Sequence, residues 1–346
     1  MSFARRIPEL LAPALLVLAT ALIGLAVSTY LQAYFLDTLV KVSIVIALYV
    51  FIGNSGVLSF GTISFVAVGA WTAGVLTVPE SQKRVTMPGL SHFLVTTNVG
   101  NYESLALAAV VGAAFALAVG LALMRLSGLA AGIATFAVLG ITYNVLTYEQ
   151  SIGPGLNAFS SVPQTTGIWQ AAVGGLICVV VAFLYQRTRF GRKLRATRED
   201  SSAAAAAGIS TYRQRLLAFT LSGALAGFAG GIYVHLLPLQ VGGLYLDLTF
   251  ITLAMLVVGG SGSLLGAVVG ALAVNGIYSF FSAATNGVDV LGWNLTVPTG
   301  TAEIVLGVLM AAVLILRPSG ITGGREFSLP RRHRPVADLE KARVTT

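Results

Sequence analysis

The run SLALAAVVGAAFALAVGLALM, residues 104–124, decides the fold class of this 346-residue chain. It contains no charged side chain, and it matches the roughly 20 apolar residues that a helix needs to cross the hydrocarbon core of a bilayer. The chain is therefore predicted to be an all-α integral membrane protein, a polytopic helical bundle of about ten spans. Nine further apolar runs support this count, at 10–27, 39–52, 60–78, 128–147, 168–186, 215–237, 248–258, 264–281 and 301–316.

The composition of the chain excludes an ordinary soluble protein. Hydrophobic residues make up 56% of the sequence and charged residues 10%, whereas soluble domains carry about 25% charged residues. The net charge of +8 would suit a nucleic-acid-binding protein, but the Lys and Arg residues flank apolar runs and form no basic face. This distribution is typical of the positive-inside rule of membrane proteins. We therefore expect contact with the lipid membrane and no nucleic acid.

Three of the apolar runs need a separate interpretation. Those near 39–52 and 248–258 are short, and they are predicted to be half-spans or re-entrant segments, which are tolerated where irregular backbone lines a cavity inside the protein. The first run is long and lacks a clear small-x-small cleavage site. We therefore predict a retained first helix, not a secretory signal.

The basic residues predict the orientation of the bundle. If Arg5 and Arg6 are cytoplasmic, ten alternating crossings bring the other basic clusters to the same side: Arg125, Arg187–Arg215 and Arg317 onward. Three basic residues fall outside: Lys41, Lys83 and Arg84. We therefore predict that both termini are cytoplasmic, with one membrane domain at 1–323 and a basic cytoplasmic tail at 324–346.

The longest predicted internal loop, about 187–213, has two parts. A basic strip from Arg187 to Arg198 precedes an alanine run, which favours helix and is followed by Gly208, a helix stop signal. Acids and a serine at 199–201 suit the first turn and cap of a helix. The sequence therefore predicts a short helix from Glu199 to Gly208. Two interpretations stay open: a solvated loop near anionic headgroups, or a helix whose small side chains let a partner approach closely.

The loop from Arg189 to Ile209, RFGRKLRATREDSSAAAAAGI, resembles that of the branched-chain amino-acid-type ABC importer permeases, in their LivM-like branch. The family loop reads approximately RFGRxLxAxRxxxxAAxxxGI. Other segments are similar to family motifs in the family's order: Ser55–Gly61 with Gly69–Ala73, Gly155–Pro163, Gly259–Ala271 and Arg317–Gly320. The sequence departs from the family at Thr62-Ile63, where His-Ala is common, and at Ser201 and Ala205, where acids often flank the alanines. The resemblance covers roughly residues 38–323.

This resemblance implies a transport subunit and not an enzyme. It implies the permease subunit of an ABC importer for branched-chain or related amino acids, in the bacterial cytoplasmic (inner) membrane. Two separate ABC ATPase subunits would bind the ATP, so this chain needs no cofactor of its own. The other implied partners are a second homologous permease and an extracytoplasmic substrate-binding protein. Urea, amides, aromatic acids and nucleosides are handled by relatives of this type and stay alternative substrates.

Two groups of residues are candidates for function. The predicted ATPase-coupling helix comprises Arg198, Glu199, Asp200, Ser202, Ala203, Ala204, Ala207 and Gly208. A candidate translocation pathway comprises Ser55, Ser59, Thr62, Asn144, His235 and Asn275. Broken helices with hydroxyls can hold small zwitterions in membranes. Other interpretations of these polar residues are equally open. They could satisfy freed backbone groups, form hydrogen bonds between helices or meet water at a helix end.

A third group consists of glycines that recur every four residues: Gly262, Gly266 and Gly270. They are predicted to form one smooth helix face for close packing. A phosphate-binding loop is the alternative, but no Lys-Ser or Lys-Thr follows these glycines, so a Walker-type site is not expected.

Two other functional classes fit the sequence less well. An ion-coupled secondary transporter usually carries an acid or an unwound ion site at mid-membrane, whereas Asp37, Asp247 and Glu303 lie near predicted span ends. An intramembrane enzyme would need a clustered nucleophile and base. The single cysteine, Cys178, lies in an apolar run and is interpreted as a small packing residue, and no metal cluster is expected. The sequence therefore favours a chain that takes its energy from a partner and has no charged site of its own.

Overall fold

The computed structural model describes residues 7–155, 157–285, 287–290, 293–324 and 326. They form a bundle of α-helices with a 3-10 turn at Gly242–Leu244 and one antiparallel hairpin, β1 (Val288–Val290) and β2 (Trp293–Leu295). The helices are α1 (Ile7–Ala26), α2 (Thr29–Ser55), α3 (Thr62–Thr77), α4 (Glu80–Thr86), α5 (His92–Thr96), α6 (Asn101–Leu123), α7 (Gly128–Tyr148), α8 (Ile168–Arg187), α9 (Arg189–Glu199), α10 (Ser201–Ala206), α11 (Thr211–Val234), α12 (Leu246–Gly259), α13 (Leu264–Thr285) and α14 (Thr301–Leu316).

The described helices confirm the prediction of an all-α polytopic membrane protein. Eight segments are long and apolar enough to cross a bilayer: α1, α2, α6, α7, α8, α11, α13 and the stretch Gly242–Gly259 that contains α12. A bent pair, α3 and α4, brings the number to nine, and the apolar α14 is shorter. Together they account for the ten predicted runs. Arg5, Arg6 and nearly all of the predicted tail 324–346 lie outside the described residues.

The prediction of a half-span at 39–52 is wrong. α2 is a continuous helix of 27 residues, and its spanning stretch begins at Leu31. The apolar run looked short because Asp37 precedes it and Lys41 lies near its start. These two side chains form an ion pair at 2.6 Å, one helical turn apart, so neither charge faces the bilayer unpaired. Lys41 therefore lies inside a span, not in an outside loop as predicted.

Two other segments are short or bent. α12 has 14 residues and reaches spanning length only with the preceding 3-10 turn. The chain bends by 120° between α3 and α4. Lys83 on α4, which was predicted to fall outside, is fully buried and donates to the carbonyl oxygens of Leu94 and Thr97 at 2.9 and 2.5 Å.

The centre of the bundle is formed by α2 and α11. Of their spanning stretches, 83% and 72% are buried, compared with 28% for α1 and α6. α11 packs mainly on α6, α3 and α2, and glycines let these backbones touch. A Cβ atom at Gly230 would overlap the carbonyl oxygen of Val66 on α3, and one at Gly227 would overlap that of Ala108 on α6. Small residues at helix crossings are what membrane bundles use for close packing.

The bundle has two ends that differ in charge. At one of them, the basic end, the guanidinium groups of α8, α9 and α11 donate to neighbouring segments: Arg187 to Glu9 on α1, Arg198 to Gly53 on α2 and Arg215 to Leu126 in the loop between α6 and α7. The turn between α12 and α13 lies there too, because Ser261 approaches Gly53. The opposite end carries α4, α5 and the loop 149–167. The alternation of the helices between these ends agrees with the predicted clustering of positive charge.

The chain after α14 closes over the turn between α12 and α13. The amide groups of Ile321 and Thr322 donate to the carbonyl oxygens of Val258 and Gly259. The Glu326 carboxylate accepts from the Leu264 amide at 2.8 Å, at the start of α13, where a helix favours negative charge. Burial raises the pKa of this carboxyl group, and the two backbone amides that it accepts from oppose that rise.

The predicted single face of Gly262, Gly266 and Gly270 is partly wrong. α13 begins at Leu264, so Gly262 lies in the preceding turn, where it meets Gly324. Gly266 and Gly270 do lie on α13 and face α12: a Cβ atom at Gly270 would overlap the Met255 carbonyl oxygen. The spacing of four residues continued by chance across the start of the helix.

Alanine in place of Gly270 is expected to destabilise the folded chain by roughly 1–3 kcal/mol, because α12 and α13 must separate to admit the methyl group. Gly276 on the same helix is the matched control. It has open space around its Cα, so Gly276→Ala should be neutral or stabilising by up to about 1 kcal/mol through helix propensity. Thermal unfolding of the detergent-solubilised variants measures the difference. Equal effects of the two substitutions would contradict the assigned packing.

Candidate functional site

The basic strip is itself a helix, α9, and not an extended lead-in to one. Its N-cap is Thr188, whose hydroxyl accepts from the Gly191 amide at 3.2 Å. One face is buried, through Gly191, Leu194 and Thr197, and packs on α2, α8 and α11. The opposite, charged face is exposed. α9 is therefore an amphipathic helix at the basic end, packed against three membrane helices.

The predicted helix from Glu199 to Gly208 is divided by Asp200. Arg198 and Glu199 belong to α9, and Asp200 is the N-cap of α10, because its carboxylate accepts from the amides of Ser202 and Ala203 at 2.8 and 2.9 Å. α10 ends at Ala206, and Gly208 follows with a φ of +75°, a conformation that glycine adopts without strain. The start and stop signals thus act where the sequence placed them, but the element is shorter.

α10 presents a surface of small side chains, which we call the alanine face: Ser202, Ala203, Ala205 and Ala206. All four are exposed, whereas Ala204 is buried against the rest of the chain. The helix is short, and its ends are closed by the Asp200 cap and by the Ile209 amide, which donates to the Ala204 carbonyl oxygen at 2.9 Å. A capped helix with an exposed smooth surface allows another protein to approach its backbone closely.

Arg198 is exposed as a whole, but its guanidinium contacts the end of α2. Its guanidinium donates to the Gly53 carbonyl oxygen at 2.5 Å, and its stem lies against Gly56, which ends α2 in the left-handed region at φ +70°. A cation is favourable at a helix C-terminus because the backbone carbonyls there carry partial negative charge. Arg198 therefore connects α9 to the end of α2, one of the two central helices of the bundle.

Further polar contacts connect the base of α9 to the membrane helices. Arg195 donates to the Gln186 carbonyl oxygen at 3.1 Å, and the Gln186 side chain donates to the Tyr49 hydroxyl on α2 at 2.6 Å. Arg187 forms an ion pair with Glu9 on α1 at 2.6 Å. A displacement of α9 would thus reach α1, α2 and α8 together.

The pathway candidates Ser55, Ser59 and Thr62 lie in and around the loop that joins α2 to α3, at the basic end. Ser55 accepts from the Val57 amide at 3.1 Å. The hydroxyls of Ser59 and Thr62 are fully buried and have no hydrogen-bond partner among the described residues. The outer part of this loop and Arg198 line one open cleft of about 880 Å³. Of the three residues, Ser55 has the hydroxyl bond to the freed backbone that the alternative interpretation expected.

Asn275 lies near the middle of α13 and belongs to a charged cluster that the sequence analysis did not predict. Its side chain donates to Asp37 at 3.1 Å and to the Thr38 hydroxyl at 2.7 Å, and it accepts from the Lys41 ammonium at 3.1 Å. Asp37 was predicted to lie near the end of a span, but it lies inside the spanning stretch Leu31–Ser55. The chain therefore carries a charged pair inside a span, whereas the absence of a charged functional site stays a prediction.

A cavity of about 460 Å³ opens beside this cluster, between α2, α11, α12, α13 and α14. The polar and aromatic residues that line it are Lys41, Tyr233, Asp247, Phe250, Tyr278 and Glu303. Lys41 is buried, whereas Asp247 and Glu303 are exposed. Its volume lies within the range of small-molecule sites in proteins, about 300–1,000 Å³.

The two remaining pathway candidates lie elsewhere. His235 follows α11 at the opposite end, where its ring nitrogens contact the Gly231 carbonyl oxygen at 2.7 Å and the Thr77 hydroxyl at 3.1 Å. Asn144 is exposed on α7 and donates to the Gly140 carbonyl oxygen of its own helix. The six candidates therefore do not form one site. Asn275 alone adjoins the charged cluster. The three candidates of the loop between α2 and α3 lie at the basic end, and His235 lies at the opposite end.

Potential metal ligands are dispersed over the described residues. No group of three or more His, Cys, Asp or Glu residues in this part of the chain could hold a metal ion. Cys178 is fully buried on α8. Its position fits the predicted packing role.

Comparison with known proteins gives a family match and several partial relatives. The family described as branched-chain amino acid transport system / permease component matches residues 30–314. The autoinducer 2 import system permease protein LsrC of Escherichia coli is 32% identical over 165 residues, 45% of this chain and 44% of the relative. The probable branched-chain amino acid transport permease protein LivH of Methanocaldococcus jannaschii is 30% identical over 153 residues, 43% and 45% of the two chains. The matches thus cover somewhat under half of these relatives. No solved structure matches.

Proposed function

This chain belongs to the family of permease components of branched-chain amino acid transport systems, and from that membership we propose that it is the permease subunit of an ATP-driven importer in the bacterial cytoplasmic membrane. Two ATPase subunits would bind and hydrolyse the ATP, a second homologous permease would complete the membrane part, and a binding protein outside would deliver the substrate. The observation that carries the proposal is α10: a capped helix with an exposed alanine face, joined through α9 to the membrane helices.

The mechanism follows from the contacts of α9 and α10. The ATPases hold the alanine face, and their closure moves α10 and α9 together as a rigid unit. Arg198 transmits the shift to the end of α2, and Arg195 transmits it to Gln186 on α8. α2 carries the Asp37–Lys41 pair, which is bonded to Asn275 on α13. Movement of the basic end thus changes the packing around the cavity at mid-bundle.

The proposed substrate is a small polar molecule, with branched-chain or related amino acids as the first class to examine. The family description and the LivH relative favour amino acids, whereas the LsrC relatives are named for autoinducer 2 import. Urea, amides, aromatic acids and nucleosides are further candidates by family resemblance.

A second candidate function, an ion-coupled secondary transporter, is favoured by one observation: Asp37 and Lys41 lie inside a span, where charged residues often mark ion pathways. The exposed alanine face at the basic end has no role in such a mechanism. The two functions differ in their energy source, so one experiment separates them.

The test is uptake of radiolabelled amino acids by proteoliposomes that contain this chain, the second permease, the candidate ATPases and the binding protein. We expect uptake with ATP and none with a non-hydrolysable ATP analogue, irrespective of an imposed ion gradient. Uptake driven by a proton or sodium gradient without the ATPases would overturn the proposal in favour of the second function.

A further inference from the structure

In the cavity beside Lys41, the positive charge is paired within the protein and the negative charges are not. The Lys41 ammonium is bonded to Asp37 at 2.6 Å and to Asn275 at 3.1 Å, so its charge is neutralised inside the protein. Asp247 on α12 and Glu303 on α14 also line the cavity. Neither carboxylate has a hydrogen bond or an ion pair with any residue that the structure describes. The cavity therefore contains two carboxylates with no positive partner among the described residues.

The aromatic residues of the cavity, like its two carboxylates, favour a positively charged ligand. Tyr233, Phe250 and Tyr278 line it, and the Lys41 ammonium already lies 5.4 Å from the centre of the Tyr278 ring. The negative faces of aromatic rings attract ammonium and guanidinium groups, most strongly where water is excluded. The cavity is thus lined by aromatic residues and carboxylates that can bind a cation. The one cationic side chain in its lining, Lys41, is already paired with Asp37.

An acid in the first turn also stabilises its own helix, and both Asp247 and Glu303 occupy first turns. That role concerns each helix separately. It does not require that two helices bring their acids to one cavity of ligand size, next to a buried ion pair and three aromatic rings. The convergence of these groups on a single space needs a further account.

We propose that this cavity is a substrate site on the translocation path and that it takes a small organic cation, a molecule with more ammonium or guanidinium groups than carboxylates. The inference rests on the proposed function and narrows it to a charge class. An anionic ligand would meet Asp247 and Glu303, with one lysine, already neutralised by Asp37, to balance them. A neutral zwitterion would pair its ammonium with one acid, while its own carboxylate competed with Asp37 for Lys41. A ligand with excess positive charge satisfies both free carboxylates.

The test uses two probes that differ in charge but hardly in shape, L-arginine and L-citrulline. The full-length chain is reconstituted in nanodiscs, and binding of each probe is measured by calorimetry. L-arginine should bind at least about tenfold tighter than L-citrulline, the effect of one charge-assisted hydrogen bond. The double variant Asp247→Asn/Glu303→Gln should weaken arginine binding by at least about tenfold and remove the discrimination. Glu80→Gln, an exposed acid on α4, is the control and should change neither value.

Three results would overturn the inference: equal affinity for the two probes, discrimination that survives in the double variant, or no saturable arginine binding at millimolar concentration. Each variant is accepted for binding only with the elution profile and unfolding temperature of the unaltered chain. ATP-dependent uptake, measured separately, decides the proposed function. An importer that shows such uptake but no preference for cations keeps its function and loses this site.

Discussion

Replacing Ala203 with arginine is expected to reduce substrate-stimulated ATP hydrolysis of the assembled transporter at least about tenfold. Ala203 lies on the exposed alanine face of α10, where a partner can approach the backbone closely. A long side chain there acts as overpacking in an interface, which costs about 1–3 kcal/mol, and about 1.4 kcal/mol corresponds to tenfold in an equilibrium constant. Arginine is a good helix former, so α10 itself should remain folded.

The control for this experiment is Ser81→Arg. Ser81 is also small and exposed, but it lies on α4 at the opposite end of the bundle. The same side chain added there should leave stimulated hydrolysis unchanged. Both variants should insert in the membrane as the unaltered chain does. Full stimulation in Ala203→Arg would remove α10 from the coupling mechanism.

The second large effect is expected at the buried ion pair. Lys41→Met leaves the Asp37 carboxylate and the Asn275 side chain without their cation. Removal of one partner from a buried pair typically destabilises a protein by about 3–5 kcal/mol, because the remaining charge is stranded. Asp37 keeps some exposure, with 18% of its side chain accessible, so we expect about 3 kcal/mol. Denaturation of the detergent-solubilised chain measures this loss.

The double variant Asp37→Asn/Lys41→Met distinguishes a stranded charge from lost packing. With no charge left to strand, most of the lost stability should return, as happens when both members of a buried ion pair are replaced by neutral groups of similar size. A double variant as unstable as Lys41→Met would mean that the lysine stem, not the ion pair, stabilises the contact between α2 and α13.

The sequence predicted the helical bundle well because span length is a local property. Runs of apolar residues are readable one at a time, and the described helices follow them closely. α2 was the exception, since Asp37 appeared to end its run and Lys41 lay near the start of what remained. Their spacing of four residues was the available signal: Asp37 and Lys41 can pair on one helix face, and a paired interruption does not end a span. α9 could also have been recognised, because Arg, Lys and Leu are good helix formers.

The candidate site was harder to predict because it depends on contacts between distant parts of the chain. Asn275 meets Lys41 across 234 residues of sequence, and nothing local indicates this contact. Gly262 shows the reverse error: the regular spacing of glycines extended past the true start of α13. Arg198 was assigned to partner contact on its position in the loop, whereas only the structure shows that it binds Gly53.

The most direct measurement of the central claim is cross-linking from the alanine face. Cys178 is buried, so the variant Cys178→Ala/Ala203→Cys should carry one reactive thiol in the described part of the chain, on α10. In the assembled transporter, a short thiol-to-amine cross-linker should join this position to an ATPase subunit, whereas Cys178→Ala/Ser81→Cys should not be joined to one. A complex that hydrolyses ATP in response to substrate, yet shows no cross-link from position 203, would contradict α10 as the docking element.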